Sequence, residues 1–181
     1  MQPTTPWVFG YGSLIWRPNF AYVEAVPAQL VGWTRRFWQW SPDHRGTPEH
    51  PGRVVTLLRD ADDSVTGVAY RLQDDELERV LSALDHREKA GYERHALSVL
   101  PLDGRPEMRA LVYVAGPSNS DYAGVTSERE IARRVVASRG PSGENAEYVL
   151  KLAAALELLG AHDAHVAEVA MWVRRLSGVS S

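Results

Sequence analysis

The residues with the clearest capacity for chemistry lie near the start of the chain, in the stretch Trp7–Trp16 (WVFGYGSLIW). Its apolar residues predict a buried strand that ends in a tight turn. Gly10 and Gly12 carry no side chains, so they let a ligand approach the main chain closely. Ser13 adds a hydroxyl and a backbone N–H group at the same place. The pattern predicts that this turn holds a substrate.

Glu88 is the candidate for proton transfer. It lies just past the last turn of a predicted helix, where the negative end of the helix dipole disfavours an ionised carboxylate. If Glu88 is also buried, its pKa rises towards the working range of a general acid or base. The competing interpretation is a solvated surface acid balanced by Arg87 and Lys89, which is the commoner situation for such charges. Residue chemistry alone leaves both interpretations open.

Other familiar motifs are incomplete. The glycine turn lacks the third glycine of a dinucleotide-binding fingerprint, because Ile15 stands at that position. Ser13 is not flanked by the two glycines that a hydrolase nucleophile elbow requires. His162 and His165 have the spacing of a metal pair, but solvent-exposed polar residues are the commoner explanation, and nothing nearby completes a ligand set. We therefore predict neither a metal nor a cofactor.

Composition excludes several classes of protein. The chain has 181 residues, 44% apolar and 24% charged, which is typical of a single globular domain over residues 1–181 with loose ends at 1–6 and 177–181. Its formal net charge of -3 argues against nucleic acid or an anionic membrane as a partner. It contains no cysteine and no long apolar run, so we expect a cytoplasmic protein without disulfides or membrane spans. The sequence predicts no particular oligomeric state.

The elements that must position these residues follow no regular alternation. Predicted strands cover Trp7–Gly10, Gln29–Trp40, Arg53–Arg59, Val65–Leu72, Tyr92–Leu100 and Met108–Val114. The third and fourth form a predicted hairpin that turns at Asp60–Ser64. Predicted helices cover Asp74–Asp85, Ser127–Ser138, Asn145–Leu159 and Asp163–Leu176. This order favours an α+β fold with a mainly antiparallel, barrel-like sheet over a doubly wound parallel sheet.

Longer motifs run in order from about Trp7 to Leu159. They are Val8–Pro18 with Phe20, Arg36–Gln39, Pro51–Leu57, Gly67–Tyr70, Arg87–Glu88 with Gly91–Tyr92, and Ser142–Gly143 with Asn145, Glu147 and Tyr148. Together they resemble the glutathione-specific γ-glutamylcyclotransferases, the ChaC family. Several long motifs in the correct order are far more specific than a lone glycine pattern.

The resemblance implies a small mixed β-barrel packed with helices, and a lyase that converts glutathione to 5-oxoproline and Cys-Gly. The nucleophile would be the substrate's own α-amine, which attacks the γ-glutamyl carbonyl carbon and closes a ring. Such a site needs no serine, cysteine or metal nucleophile. It needs a folded-back substrate, N–H donors for a carboxylate or oxyanion, and one group that moves a proton.

The resemblance also implies roles for individual residues. Glu88 would move the proton. The turn that supplies the N–H donors would comprise Gly10, Tyr11, Gly12, Ser13, Leu14 and Ile15. The γ-glutamyl pocket would be lined by Tyr92, Tyr113 and Tyr122. Arg53 and Asn145 are weaker binding candidates, since each can equally be a structural hydrogen-bonding residue, and Tyr113 in a strand is by default a core tyrosine.

Two features depart from the family pattern. Many relatives have two glycines where this chain has Ala90–Gly91, and the last helix, from about Ala161, matches nothing firm in the family. Two alternatives to a glutathione enzyme stay open. One is a cyclotransferase for other γ-glutamyl amino acids or γ-glutamylamines, and the other is a module that binds γ-glutamyl groups without turnover.

Overall fold

The computed structural model describes residues 6–87 and 91–178. Glu88 lies outside the described residues, as do residues 1–5 and 179–181 at the chain ends. A 3-10 helix covers Ser13–Ile15. The strands are β1 Trp7–Gly10, β2 Glu24–Ser41, β3 Gly52–Arg71, β4 Glu93–Pro101, β5 Met108–Val114, β6 Arg139–Gly140 and β7 Gly143–Glu144. The α-helices are α1 Leu77–Arg87, α2 Glu128–Val136, α3 Asn145–Leu158 and α4 Ala164–Ser177.

The chain divides into two compact units. The first comprises residues 1–34 and 57–119, and the second comprises residues 35–56 and 120–181. The long strands β2 and β3 contribute residues to both.

The strands β1 to β5 close a barrel in the order β1-β3-β2-β4-β5. β1 runs antiparallel to β3, with Trp7 opposite Arg71, and parallel to β5, with Val8 opposite Leu111. β4 and β5 pair antiparallel over seven residue pairs. The α+β fold with a mainly antiparallel, barrel-like sheet is therefore confirmed.

β3 is one continuous strand of 20 residues, so the predicted hairpin with a turn at Asp60–Ser64 is wrong. Most of this polar run is exposed on the extended strand. It contains no glycine, proline or asparagine, and its aspartates and serine suit an exposed strand as well as a turn. Asp63 accepts a hydrogen bond from the Thr34 hydroxyl at 2.7 Å, and the Arg59 guanidinium stacks 4.0 Å from the Trp33 ring. These contacts hold the polar side chains along an extended backbone.

α1 packs through one apolar face. Val80, Leu81 and Leu84 are buried and Leu77 is half-buried against the same cluster, as the helical spacing predicts. The helix begins at Leu77 rather than near Asp74. The other buried members of this cluster are Val8, Leu72, Leu111 and Tyr113. The cluster therefore holds α1 in place within the first unit.

The second unit contains α2, α3 and α4. Ser127 caps α2 by accepting a hydrogen bond from the Glu130 N–H, as its capping pattern predicts. Gly160 follows α3 with a φ of 67° and Asp163 caps α4. The second carboxylate oxygen of Asp163 accepts a hydrogen bond from Arg35 Nε at 2.9 Å. Among the described residues, no helix has the length and apolarity that a membrane span requires.

His165 on α4 is buried, with 6% exposure, so the expectation of a solvent-exposed histidine is wrong at this position. Its Nε2 accepts a hydrogen bond from the Phe37 N–H at 3.0 Å, and its Nδ1 lies 3.0 Å from Glu128 Oε1. Burial lowers the pKa of His165, against the opposing effect of Glu128. Sequence spacing placed this residue on a helix but carried no information on its depth.

Candidate active site

The glycine turn begins where β1 ends. Ile15 donates its N–H to the Gly12 carbonyl at 3.0 Å and closes the 3-10 turn. Within residues 6–87 and 91–178, the N–H groups of Gly12 and Leu14 donate no hydrogen bond. Neighbouring unpartnered N–H groups are suited to binding a carboxylate or a developing oxyanion. Within the described residues the turn therefore presents two N–H donors, and their contact with a substrate stays a prediction.

Tyr70 on β3 fixes this turn, although no sequence pattern assigned it to the site. Its hydroxyl lies 2.7 Å from the Leu14 carbonyl oxygen and 3.1 Å from that of Ile15. Burial, and then the neighbouring Tyr22, raise the pKa of Tyr70 to about 12, so the hydroxyl remains a donor at neutral pH. A Cβ atom at Gly10 would lie 2.6 Å from the Leu14 Cβ. The Tyr70 hydroxyl therefore holds the carbonyl groups of the turn, and the close approach of Leu14 leaves no room for a side chain at Gly10.

A chain of hydrogen bonds links the turn to α1. The Tyr11 hydroxyl donates to the Tyr113 carbonyl at 2.7 Å. The Tyr113 hydroxyl donates to Asp85 Oδ1 at 2.7 Å, and Arg94 donates to Asp85 Oδ2 at 3.3 Å. Burial, followed by the effect of Asp85, raises the pKa of Tyr113 above its ordinary value. Because its proton is directed at Asp85, the Tyr113 oxygen can only accept further hydrogen bonds.

The apolar cluster around α1 brings other predicted residues together. Tyr113 is buried within it, and Tyr92 and Leu14 pack against it half-buried. The first unit therefore joins the glycine turn with two of the three predicted tyrosines. The hydrogen-bonded side chains of Tyr113 and Asp85 provide polar oxygen atoms next to this apolar cluster.

The role of Glu88 stays a prediction, because this residue lies outside the described part of the chain. Its described neighbours are Arg87, the last residue of α1, and Gly91, which adopts a φ of 79°. A Cβ atom at Gly91 would also meet the Asn119 side chain. The second residue of the Ala90–Gly91 pair is therefore one at which glycine is needed.

Arg53 and Asn145 lie in the second unit, where Asn145 holds the backbone of Arg53. Asn145 Oδ1 accepts from the Arg53 N–H at 2.7 Å, and Asn145 Nδ2 donates to the Arg53 carbonyl at 2.8 Å. Both ends of this fully buried amide are therefore used within the fold, which favours the structural interpretation of Asn145. Arg53 Nη1 donates to the Phe37 carbonyl at 3.0 Å.

Tyr122 also lies in the second unit, on the loop between β5 and α2. It is half-buried and forms an isolated bridge with Gln39 of β2. Next to it, the Trp40 N–H donates to the Asp121 carbonyl at 2.7 Å. The backbone around Tyr122 is therefore held along β2, and the predicted contact of its side chain with substrate stays a prediction.

The chain matches known proteins over nearly its whole length. The sequence profile described as ChaC-like protein matches residues 6–176. The chain belongs to the ChaC family. A human protein named Glutathione-specific gamma-glutamylcyclotransferase 1 is 43% identical over 173 residues, which cover 93% of this chain and 78% of that protein. An Escherichia coli K12 protein named Glutathione-specific gamma-glutamylcyclotransferase is 36% identical over 171 residues, covering 94% and 73%.

The ChaC family assignment agrees with the fold. The crystal structure of a selenomethionine-labelled γ-glutamylcyclotransferase specific to glutathione from yeast has a TM-score of 0.86 and 31% identity, covering 93% of this chain and 95% of that chain. This similarity confirms the predicted γ-glutamylcyclotransferase-like fold. All candidate site residues, Glu88 included, fall inside the range matched by the family profile.

The ChaC motifs located the turn but did not identify the residues that hold it. Tyr70 closes the Gly67–Tyr70 motif, and Asp85 stands three residues before Glu88 in the sequence. Both residues therefore lie in or beside motifs that the sequence singles out. Neither could be ranked above other polar residues without knowing which strand lies beside them.

Proposed function

We propose that this chain is a glutathione-specific γ-glutamylcyclotransferase, a lyase that converts glutathione to 5-oxoproline and Cys-Gly. The observation that carries the proposal is the glycine turn, where the N–H groups of Gly12 and Leu14 have no acceptor among the described residues. The names of the human and Escherichia coli relatives support glutathione as the substrate. The cysteine-free sequence supports a cytoplasmic location, because disulfides are rare in reducing compartments.

The reaction is an intramolecular aminolysis. The α-amine nitrogen of the γ-glutamyl group attacks the γ-carbonyl carbon, and a new C–N bond closes the ring. The amide bond to cysteine then breaks, and the amine proton ends on the leaving nitrogen, so no water is consumed. Holding amine and carbonyl together can contribute about 7–11 kcal/mol to such a step. The turn N–H groups bind the glutamyl α-carboxylate or the developing oxyanion.

Tyr113 and Glu88 act on the amine. The Tyr113 oxygen accepts a hydrogen bond from the amine, because its own proton is directed at Asp85. Glu88 takes a proton from the amine as the ring closes and delivers it to the leaving nitrogen. Ser13 contributes to binding, while Tyr92 contacts the γ-glutamyl chain. The chain needs no nucleophile of its own in this scheme.

Product analysis tests the proposed reaction. Purified protein is incubated with glutathione, with γ-glutamylalanine and with ε-(γ-glutamyl)-lysine, and 5-oxoproline is quantified. We expect 5-oxoproline and Cys-Gly from glutathione, at a rate at least tenfold above that with the other two. Faster release from either of those would assign the chain to the alternative cyclotransferase activities. Binding of glutathione without product from any compound would favour the non-catalytic module.

Replacing Glu88 by Gln tests the proton-transfer role. We expect kcat to fall by about 10²–10⁴-fold with little change in glutathione binding, because the shape is kept and the ionisable group is lost. The matched control is Glu93→Gln, since Glu93 is an exposed acid on β4 that pairs with His95. Full activity in Glu88→Gln would remove Glu88 from the mechanism.

A further inference from the structure

The direction of the Leu14 N–H group is set by the peptide plane that it shares with the Ser13 carbonyl. The Ser13 oxygen accepts hydrogen bonds from the Arg17 N–H at 2.8 Å and from the Trp16 N–H at 3.3 Å. Because the peptide group is planar, holding its carbonyl also fixes the direction of its N–H. The Leu14 N–H itself donates no hydrogen bond among the described residues. It is therefore an available donor with a fixed direction.

The Tyr70 hydroxyl is connected to this donor through the following peptide planes. Its oxygen lies 2.7 Å from the Leu14 carbonyl oxygen and 3.1 Å from that of Ile15, so one proton is shared between two acceptors. The plane of the Ile15 carbonyl also contains the Trp16 N–H, which donates to the Ser13 carbonyl. A continuous path of hydrogen bonds and planar peptide groups thus links the Tyr70 hydroxyl to the Leu14 N–H.

The ring of Tyr70 is held by contacts that do not use its hydroxyl. Phe20 meets it edge-on with ring centroids 5.5 Å apart, and the Tyr22 ring lies at 4.9 Å. The segment that carries these two rings is fixed beside β3, because the Val23 N–H donates to the Arg71 carbonyl at 2.8 Å. A phenylalanine in place of Tyr70 would therefore keep the ring packing and lose only the hydroxyl.

The same stretch of β3 also approaches the glycine turn through its backbone. A Cβ atom at Gly67 would meet the Gly10 carbonyl oxygen and the Phe9 ring, so β3 lies directly against the start of the turn. Three residues further along, Tyr70 donates to the carbonyl groups at the end of the turn. The Gly67–Tyr70 motif therefore contacts the turn at both of its ends.

We propose that Tyr70 is a positioning residue for the cyclisation, whose hydroxyl fixes the direction in which the Leu14 N–H meets an anionic oxygen of the γ-glutamyl group. This inference rests on the proposed function. The oxygen belongs either to the α-carboxylate or to the γ-carbonyl as its charge develops. A donor stabilises either charge best when its direction is fixed before the reaction. Without the Tyr70 hydroxyl, the Ile15 carbonyl and the Trp16 N–H can rotate together, and the Leu14 N–H loses part of its support.

The experiment compares the wild type with Tyr70→Phe and with the matched control Tyr22→Phe. Tyr22 packs on the same ring, and its hydroxyl makes no hydrogen bond among the described residues. We expect kcat/KM for glutathione to fall about tenfold in Tyr70→Phe and to stay within about twofold in Tyr22→Phe. The pKa of Tyr70 is raised to about 12, so the factor should be the same throughout the neutral pH range.

The compound 4-aminobutyryl-Cys-Gly, which lacks only the α-carboxylate, distinguishes the two oxygens. If the Leu14 N–H binds that carboxylate, Tyr70→Phe should change kcat/KM for this compound less than about twofold. If it stabilises the developing oxyanion, the loss should be about tenfold for both substrates. Release of 2-pyrrolidinone measures this reaction.

Amide hydrogen exchange, measured by NMR, tests the positioning role without turnover. We expect the Trp16 N–H to exchange about tenfold faster in Tyr70→Phe, while the amides of the β4–β5 ladder change less than about twofold. A merely structural role would accelerate both groups of amides by the same factor. If the wild type makes no 5-oxoproline, the proposed function fails, while the exchange rates still decide whether Tyr70 holds the turn. The inference is overturned if Tyr70→Phe retains the wild-type kcat/KM, or if its Trp16 exchange rises no more than that of the ladder.

Discussion

Arg35 and Arg53 are both almost completely buried in the second unit, yet their charges are handled differently. Arg35 donates from Nε to Asp163 at 2.9 Å, so its counter-ion belongs to the fold. Arg53 has no such carboxylate within the described residues, and its Nε is unpartnered. A buried cation with its own counter-ion holds elements together. Arg53 instead rests on the Trp40 ring, 4.0 Å from its centroid, and on the Phe37 carbonyl.

Other polar groups of the molecule also differ in whether all their hydrogen bonds are made within the fold. His165 uses both ring nitrogens on Phe37 and Glu128, so its bonds close within the second unit. In the first unit, Tyr113 directs its proton at Asp85 and also faces the Arg94 guanidinium, so its oxygen has one lone pair left for a further donor. Completed bonds mark the structural groups, and remaining capacity marks the groups with which we expect substrate contact.

The largest expected effect on stability comes from Asp163→Asn, which breaks the buried ion pair between Arg35 and Asp163. The amide oxygen can still cap α4, but Arg35 loses its counter-ion. We expect the free energy of unfolding to fall by about 2–4 kcal/mol, below the full range for buried pairs because the Asp163 side chain keeps 16% exposure. Urea denaturation measures the change. The control Glu130→Gln breaks an exposed pair with Arg133 and should cost under about 0.5 kcal/mol.

Removing the unpaired arginine should cost less than removing the paired one. Arg53→Met loses the hydrogen bond to the Phe37 carbonyl, which is about 1–2 kcal/mol, and leaves no carboxylate unpaired. Arg35→Met leaves the Asp163 carboxylate without its cationic partner, so it should lower the free energy of unfolding more than Arg53→Met does. The kinetic effects test the predicted substrate contact of Arg53, because Arg53→Met then raises the KM for glutathione and Arg35→Met does not. Equal stability losses, or equal KM values, would show that the comparison between the two arginines is wrong.

A smaller effect is expected at Asp85. In Asp85→Asn the amide can donate to the Tyr113 oxygen, which turns the hydroxyl proton towards the substrate amine and removes the acceptor. We expect kcat/KM to fall about tenfold, or about 1.4 kcal/mol, with little change in unfolding free energy because Asp85 is half exposed. In a Tyr113→Phe background the same substitution should have no further effect. Additive losses would show that Asp85 does not act through Tyr113.

Sequence reasoning reached the parts of the fold that depend on local chemistry. The strand before the glycine turn, the apolar face of α1 and the Ser127 cap all follow from spacing within a few residues. The continuity of β3 did not, because a polar run such as Asp60–Ser64 suits both a turn and an exposed strand.

The candidate site divides in the same way. The glycine turn was predictable because its residue types are unusual within one short stretch. Tyr70 and Asp85 were not, because their roles depend on which backbone or side chain lies opposite them. The contrast between Arg35 and Arg53 was also beyond sequence, since the partner of Arg35 lies 128 residues away. Whether a charge is paired is a property of the tertiary structure.

The smallest expected effect is a pH dependence of the unfolding free energy that arises from His165. Burial lowers its pKa in the folded state, with Arg36 acting in the same direction and Glu128 and Asp163 opposing. As pH falls below about 6.5, the unfolded chain takes up the proton first, so this contribution to stability is present above that pH and is lost below it. We therefore expect the wild type to lose unfolding free energy between pH 7 and 5.

His165→Gln tests this assignment, because Gln can accept from the Phe37 N–H and donate to Glu128 without titrating in this range. Urea denaturation at several pH values should show a flatter pH dependence for this variant than for the wild type. His95→Gln is the control for replacing a histidine away from α4, since His95 is half-buried on β4 and pairs with Glu93. An unchanged slope in His165→Gln would mean that other titrating groups cause the pH dependence of the unfolding free energy. The burial of His165 and its two hydrogen bonds would then contribute nothing measurable to that dependence.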